Sequence, residues 1–132
     1  MTLRISLRDG EKVIVNGAVL RSVGRTDLRL ENDACVLRGQ DVMTPEEANT
    51  PARRLYFACM MAYIDETNRE AHQDSIVALV RDLIGALTSP DAQSTCVAFA
   101  QKVACGKYYA ALADCRWLIN YEADLLATAA AA

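Results

Sequence analysis

The chain has 132 residues, of which 52% are apolar, 23% are charged and only 6% are aromatic, with a net charge of −3 at pH 7. This balance favours a globular protein with a mainly aliphatic core, and it argues against a chain that binds nucleic acids indiscriminately. No apolar run reaches the roughly 20 residues of a membrane-spanning helix, and the start has no leader-like apolar core. We therefore expect a cytoplasmic protein that does not enter a membrane.

The first 40 residues predict short strands, because apolar and polar side chains alternate along them. In LRISLR (3–8), leucine and isoleucine alternate with Arg4 and Arg8 on the other face. Asn16-Gly17 stands between two apolar runs and predicts a two-residue hairpin turn of type I′. Further turn residues divide the rest, so the sequence predicts about five antiparallel strands arranged as a meander or small barrel.

Three or four helices are predicted to follow. Thr50-Pro51 and Ser89-Pro90 each combine an N-cap residue with a proline at the first helical position, and Gly106 ends or bends the helix before it. The expected helices run from Pro51 to about 66, over about 68–88, from Pro90 toward 105, and over about 107–127. The fold class is therefore α+β, with an N-terminal β subdomain (1–40), a connector (41–51), a helical subdomain packed as one compact unit (52–127) and a frayed alanine tail (128–132).

The sequence offers little that points to catalysis. His72 is the only histidine and lies in a polar stretch, so neither a zinc site nor a Ser/His/Asp triad is expected. No glycine-rich phosphate loop of the common types occurs. Five cysteines lie mostly among apolar helical residues without a CxxC pair, which is typical of reduced thiols: Cys35, Cys59, Cys96, Cys105 and Cys115. We expect a protein that is not an enzyme and that binds no metal or cofactor.

Charge is distributed unevenly along the chain. Residues 1–54 carry nine Lys/Arg against eight Asp/Glu, whereas residues 55–132 carry five against nine. Arg53 and Arg54 fall in the first turn of a predicted helix, where the helix dipole disfavours an exposed cation by about 0.3–1 kcal/mol. Two explanations stay open. Either Glu46 and Glu47 pair with these arginines, or the arginines and free N–H groups of the helix form a phosphate site.

Ten apolar residues follow the two arginines, from Leu55 to Ile64, and leave this helix without a polar face. Such a helix is either wrapped by its own domain or shared with a partner. An intrachain core helix and a homodimer formed through this helix both fit the pattern. The side chains that a partner would contact are Leu55, Tyr56, Phe57, Met60, Met61 and Tyr63.

Three segments of the chain have distinctive sequences: GEKVIVNGAV, VLRGQDVM and TPARRLYF. With the sequence around them, from about residue 3 to 125, they resemble FlbT, the flagellum biosynthesis repressor family. The resemblance implies a post-transcriptional regulator that associates with the 5′ untranslated region of flagellin mRNA and promotes its degradation. It also implies a second small regulator, FlaF, as a co-regulator, and it names no catalytic residues.

The residues that would contact RNA are our own inference from the strand pattern. Cations on neighbouring strands and turns could form one basic surface that contacts phosphates: Arg4, Arg8, Lys12, Arg21, Arg25, Arg29, Arg38, Arg53 and Arg54. Residues 1–54 contain no aromatic side chain on which a base could stack, which favours recognition of RNA shape and backbone. The alternative is a protein-interaction module that binds flagellin or FlaF and affects the mRNA only indirectly.

Overall fold

A computed structural model describes residues 3–131 of the chain. These residues divide into two compact units, with the boundary between Val42 and Met43. The first unit, here the β unit, contains five antiparallel strands, and the second, the helical unit, contains four helices. The α+β class predicted from the sequence is confirmed.

The strands of the β unit form two small sheets. β1 pairs with β4, while β2 lies between β3 and β5 in a three-stranded sheet. Their bounds are β1 (Leu3–Leu7), β2 (Lys12–Val15), β3 (Ala18–Arg21), β4 (Thr26–Leu30) and β5 (Val36–Arg38). Asn16 and Gly17 have φ angles of 49° and 85°, the left-handed pair that a type I′ turn requires, so the predicted β2–β3 hairpin is confirmed.

The pairing of β1 differs from that of a meander, in which β1 would pair with β2. The Asp9 carboxylate accepts the Gly24 N–H (2.8 Å), and the Gly10 N–H donates to the Ser22 carbonyl (2.8 Å). The segment after β1 is therefore bonded to the end of the β3 hairpin instead of turning back along β1. Alternating side chains predict which face of a strand is buried, but they do not choose its neighbour.

The apolar faces of the two sheets meet in a small core. Ile5 and Leu7 of β1 pack with Val13 of β2, and Val15, Leu30 and Val36 cover this cluster. Since side chains alternate along a strand, the intervening residues of each sheet point away from the cluster. The other face of the three-stranded sheet carries Ile14 and Leu37, which are also buried.

The helices follow the predicted starts closely: α1 (Pro51–Ile64), α2 (Arg69–Ala86), α3 (Pro90–Ala104) and α4 (Tyr108–Ala131). The Thr50 hydroxyl accepts the Arg53 N–H and the Ser89 hydroxyl accepts the Ala92 N–H, as N-caps do. Gly106, at φ +75°, ends α3 with N–H bonds from residues 106 and 107 back to Val103 and Lys102, a Schellman motif. α4 continues past 127, the predicted end, because alanine has the highest helix propensity.

The four helices pack as a closed cycle, in which α1 contacts α2 and α4, and α3 contacts α4 and α2. Leu55, Cys59, Phe99 and Leu112 have no exposed surface in this core. The core is largely aliphatic, as the composition predicts. Among the described residues, no helix combines the length and apolar character needed to cross a membrane.

Candidate functional site

The outer face of the β1–β4 sheet carries two arginines directly opposite each other. Arg4 of β1 is the pairing partner of Arg29 in β4, and both side chains are exposed. Asp27, two residues along β4, offsets part of this charge, because its carboxylate lies 3.9 Å from the Arg4 guanidinium. Like charges directly opposite on antiparallel strands are destabilising.

The three-stranded sheet also has a like-charge pair, on the face that carries the buried Ile14 and Leu37. Lys12 of β2 is the pairing partner of Arg21 in β3, and both side chains are exposed. Because the inner faces of the two sheets meet at Ile5, Leu7 and Val13, the Lys12–Arg21 and Arg4–Arg29 pairs point away from each other. These two pairs therefore do not share one surface, and RNA contact by the individual cations stays a prediction.

A third group of cations lines a groove at the ends of the strands, with a volume of about 960 Å³. Arg8 follows β1, Arg25 stands in the turn before β4, and Arg38 ends β5. The groove is lined by residues Ser6 to Glu11 together with Arg25, Arg38 and Gln40. Arg8 and Arg25 are exposed, and within residues 3–131 their side chains form neither an ion pair nor a hydrogen bond, although the Arg8 charge helps to lower the pKa of Glu11.

Arg38 has a structural task at this groove. Its Nη2 donates to the Ser6 carbonyl (2.7 Å) and to the Glu11 carboxylate (3.4 Å), which ties β5 to β1. Its Nε is buried without a hydrogen-bond partner within residues 3–131. Glu11 also accepts the Arg8 N–H (3.0 Å), and this bond is the main reason that the pKa of Glu11 is lowered; Arg38 lowers it further.

The start of α1 holds Arg53, half-buried, and Arg54, exposed, but no free N–H groups. Pro51 has no N–H, and the Ala52 N–H donates to the Glu122 carboxylate of α4 (3.0 Å). The N–H groups of Arg53 and Arg54 donate to the hydroxyl and the carbonyl of Thr50. The hypothesis that unpaired N–H groups form an anion site here is wrong, because the Glu122 carboxylate already serves as that anion. In the sequence, Glu122 stood out only as a carboxylate on the otherwise apolar stripe of α4.

The alternative, direct pairing of these arginines with Glu46 and Glu47, is not observed either. Glu47 accepts the backbone N–H and the hydroxyl of Thr44, both at 3.0 Å, in the capping box of a short helical turn over Pro45–Glu47. The bond from the Thr44 backbone N–H is the main reason that the pKa of Glu47 is lowered. The bond from the Thr44 hydroxyl and the nearby Arg53 charge lower it further. Within residues 3–131, neither arginine forms an ion pair with either glutamate.

The six side chains proposed for a partner interface divide into two groups. Leu55, Tyr56 and Met60 are buried in the core of the helical unit, where α1 contacts α2 and α4. Phe57, Met61 and Tyr63 are half-buried. The first group belongs to an intrachain core, and a homodimer or partner interface that uses the half-buried group stays a prediction.

The cysteines and the histidine take part in packing and connections. All five cysteines are free thiols, and Cys59, Cys96 and Cys115 are buried. Burial raises the pKa of Cys96, and it raises that of Cys115 well above its ordinary value. His72 lies 3.0 Å from Asp65, and this contact lowers the Asp65 pKa. Among the described residues, no group of three or more His, Cys, Asp or Glu could hold a metal ion.

The chain is similar to a defined set of flagellar proteins. The family model described as "Flagellar protein FlbT" matches residues 3–126. A "Probable flagellum biosynthesis repressor protein FlbT" of Caulobacter sp. (strain K31) is 42% identical over 123 residues, 92% of this chain and 94% of that protein. The "Flagellum biosynthesis repressor protein FlbT" of Caulobacter vibrioides (strain ATCC 19089 / CIP 103742 / CB 15) is 39% identical over 127 residues, 96% of this chain and 90% of that protein.

A further relative is the "Probable flagellum biosynthesis repressor protein FlbT" of Rhodopseudomonas palustris (strain TIE-1). It is 34% identical over 127 residues, which are 96% of this chain and 98% of that protein. No solved structure matches the chain. The family model matches almost the whole length, and the relatives are more than 30% identical. The chain therefore belongs to the FlbT family of flagellar proteins.

Proposed function

We propose that this protein is a post-transcriptional repressor of flagellin synthesis in the cytoplasm. It associates with the 5′ untranslated region of flagellin mRNA and promotes the degradation of that mRNA, without being an enzyme itself. The names of its relatives, flagellum biosynthesis repressor proteins, support the repressor role. The observation that carries RNA binding is a set of β-unit cations whose side chains form no ion pair or hydrogen bond within residues 3–131: Arg8, Lys12, Arg21, Arg25 and Arg29.

These cations favour a polyanionic ligand for an energetic reason. Arg4 faces Arg29 and Lys12 faces Arg21, so two pairs of like charges stand across neighbouring strands. A bound phosphate on either face would relieve that repulsion and form charge-assisted hydrogen bonds. Two faces and a groove would then contact the RNA at separate places along its backbone.

The mode of recognition follows from what the β unit lacks. Residues 1–54 contain no aromatic side chain, so these cations have no stacking platform for RNA bases beside them. Phosphate contacts provide affinity without reading sequence. The selection of one leader is therefore expected to come from RNA shape or from a protein partner.

The test is binding of purified protein to a fluorescent flagellin 5′ leader transcript, followed by anisotropy at several salt concentrations. We expect binding at physiological salt and an affinity that falls steeply with rising salt, as counterion release requires. A transcript of the same length and composition with a shuffled sequence is the control. An affinity for the leader no higher than that for the shuffled transcript, with or without FlaF, would contradict the proposal.

A second candidate function is a protein-interaction module that binds flagellin, FlaF or a second copy of this chain. The helical unit favours it, because large apolar side chains are exposed there: Val77, Val97, Tyr109, Trp117, Leu125 and Leu126. Trp117 is 40% exposed and stacks on Tyr121 with ring centres 5.3 Å apart. A gel shift that requires added FlaF or flagellin would support this candidate, and light scattering of the protein alone would report a homodimer.

A further inference from the structure

We infer that the groove lined by Arg8 and Arg25 is the principal phosphate-binding site of the β unit, which takes a phosphodiester backbone and not a base. The inference rests on the proposed function and makes it more specific. Two cations of the β unit, Arg8 and Arg25 in the groove, contact the ligand closely. The cations on the sheet faces act on it at longer range.

The shape of the groove is the first reason. Its volume of about 960 Å³ lies at the upper end of the range of small-ligand sites, roughly 300–1,000 Å³. It therefore has room for more than one phosphate group. By contrast, the Lys12–Arg21 pair lies on a sheet face and does not line the groove.

The charge of the groove is the second reason. Three arginines and two carboxylates line it, but the carboxylates are engaged within the unit. Asp9 accepts the Gly24 N–H, and Glu11 accepts the Arg8 N–H and an Arg38 N–H. Arg38 is also held by the Ser6 carbonyl. Arg8 and Arg25 thus keep their guanidinium donors for a ligand, and guanidinium forks suit phosphate oxygens.

The rigidity of the walls is the third reason. The Asp9 bond to the Gly24 N–H joins the turn after β1 to the turn that carries Arg25, and Arg38 joins β5 to β1. These bonds hold the three segments of the groove in place before a ligand arrives. A preformed site loses less conformational entropy on binding than a flexible one.

The chemistry of the lining decides the ligand class. No aromatic side chain lines the groove, so a base has nothing to stack on, whereas a phosphate finds the guanidinium donors of Arg8 and Arg25. The same chemistry would accept either the backbone of an RNA chain or a free polyphosphate. These two sources are separated by experiment.

The experiment compares the wild-type protein with two double variants that each remove two positive charges. Arg8→Gln with Arg25→Gln changes the groove, and Lys12→Gln with Arg21→Gln changes the like-charge pair on the three-stranded sheet. All four side chains are exposed, so both variants are expected to fold, as circular dichroism will verify. The probes are the flagellin leader transcript, measured by anisotropy, and inorganic pyrophosphate, measured by the shift in Tm.

For the leader transcript, we expect the groove variant to bind at least roughly tenfold more weakly, because it loses two charge-assisted contacts. The slope of log affinity against log salt should fall by about 1.4, that is, about 0.7 for each lost phosphate contact. The sheet variant should lose markedly less affinity. Equal losses in the two variants would overturn the inference, since a general effect of net charge would then explain both.

The outcomes also separate this inference from the proposed function. If the wild-type protein binds the leader and the groove variant binds it equally well, the groove is not the site, although RNA binding stands. If pyrophosphate raises the Tm of the wild-type protein and not of the groove variant while no RNA binds, the source is a free polyphosphate and the proposed function fails. If neither probe binds the wild-type protein, both are wrong.

Discussion

The two units carry the same number of cations but use them differently. The β unit, up to Val42, has seven Lys/Arg against six Asp/Glu, and the helical unit has seven against eleven. In the helical unit, Arg69 donates to the Ala62 carbonyl (2.7 Å), Lys102 to Asp114 (2.8 Å) and Arg116 to the Tyr56 hydroxyl (3.2 Å). These cations join one helix to the next.

In the β unit, Arg4 and Arg38 pair with carboxylates of the same unit. Arg29 and Arg21 instead face another cation across the strand pair. The difference lies in how cations are placed: bonded cations of the helical unit join its helices, whereas the β unit sets cations opposite each other on paired strands. We propose that this like-charge placement serves an anionic ligand. The predictions below test this contrast, from the largest expected effect to the smallest.

The largest effect is expected from the core of the helical unit. Phe99 in α3 has no exposed surface, so Phe99→Ala removes a ring from a closed core and should lower the free energy of unfolding by about 3–5 kcal/mol. Urea denaturation measures the loss. Val97→Ala, a change at an exposed position of the same helix, is the matched control and should have little effect. A loss below about 1 kcal/mol for Phe99→Ala would mean that this core is not closely packed.

The next effect concerns the carboxylate at the start of α1. Glu122→Ala leaves the Ala52 N–H without its acceptor and removes an anion from the positive end of the helix, so we expect a loss of about 1–2 kcal/mol. Glu122→Gln keeps an acceptor oxygen and should lose less. Thermal and urea unfolding of the two variants give the comparison. Equal stability of Glu122→Ala and wild type would show that the bond contributes nothing.

A smaller effect, of opposite sign, is expected in the β unit. Arg29→Glu converts the Arg4–Arg29 pair from like to opposite charges and should stabilise the protein by about 0.2–1 kcal/mol. The same change should weaken binding to the leader transcript, because it reverses a charge that would face the RNA. A stabilised variant with unchanged RNA affinity would break the contrast between the units, since the charge would then serve neither stability nor binding.

The mildest effect is the dependence of stability on acid pH. The pKa values of Glu11 and Glu47 lie below their ordinary value of 4.5, chiefly because each accepts a backbone N–H. A lowered pKa in the folded state means that the stabilisation is complete above pH 4.5 and is lost as the pH falls below it. Thermal unfolding between about pH 3 and pH 6 should therefore show a falling Tm below pH 4.5.

Two variants refine this pH prediction. Glu47→Gln and Glu11→Gln should each make the fall in Tm shallower, because one titrating carboxylate is absent. Glu66→Gln, which changes an exposed carboxylate between α1 and α2, is the control and should leave the profile as steep as in the wild-type protein. A profile that Glu11→Gln and Glu47→Gln leave unchanged would show that these two bonds do not govern acid stability.

Much of the fold could be predicted because its signals are local. Asn16-Gly17 predicts the hairpin, since both residues tolerate positive φ, and Thr50-Pro51 predicts the start of α1, since the cap and the proline act within one turn. The pairing of β1 with β4 could not be predicted from the same pattern. It depends on bonds from Asp9 and Gly10 to a turn more than ten residues away, and alternation of side chains carries no information about them.

The candidate site divides in the same way. The sequence by itself determined the fold class, the helix starts and an arginine-rich N-terminal unit without aromatic residues, because these follow from composition and from interactions over a few residues. Only the tertiary structure decided that Glu122 occupies the start of α1 and that Arg8 and Arg25 meet in one groove. The physical reason is that a carboxylate or a guanidinium can bind a ligand only if no other group of the protein lies within about 3 Å to bond it. Residues far apart in the sequence come within that distance only when the chain folds.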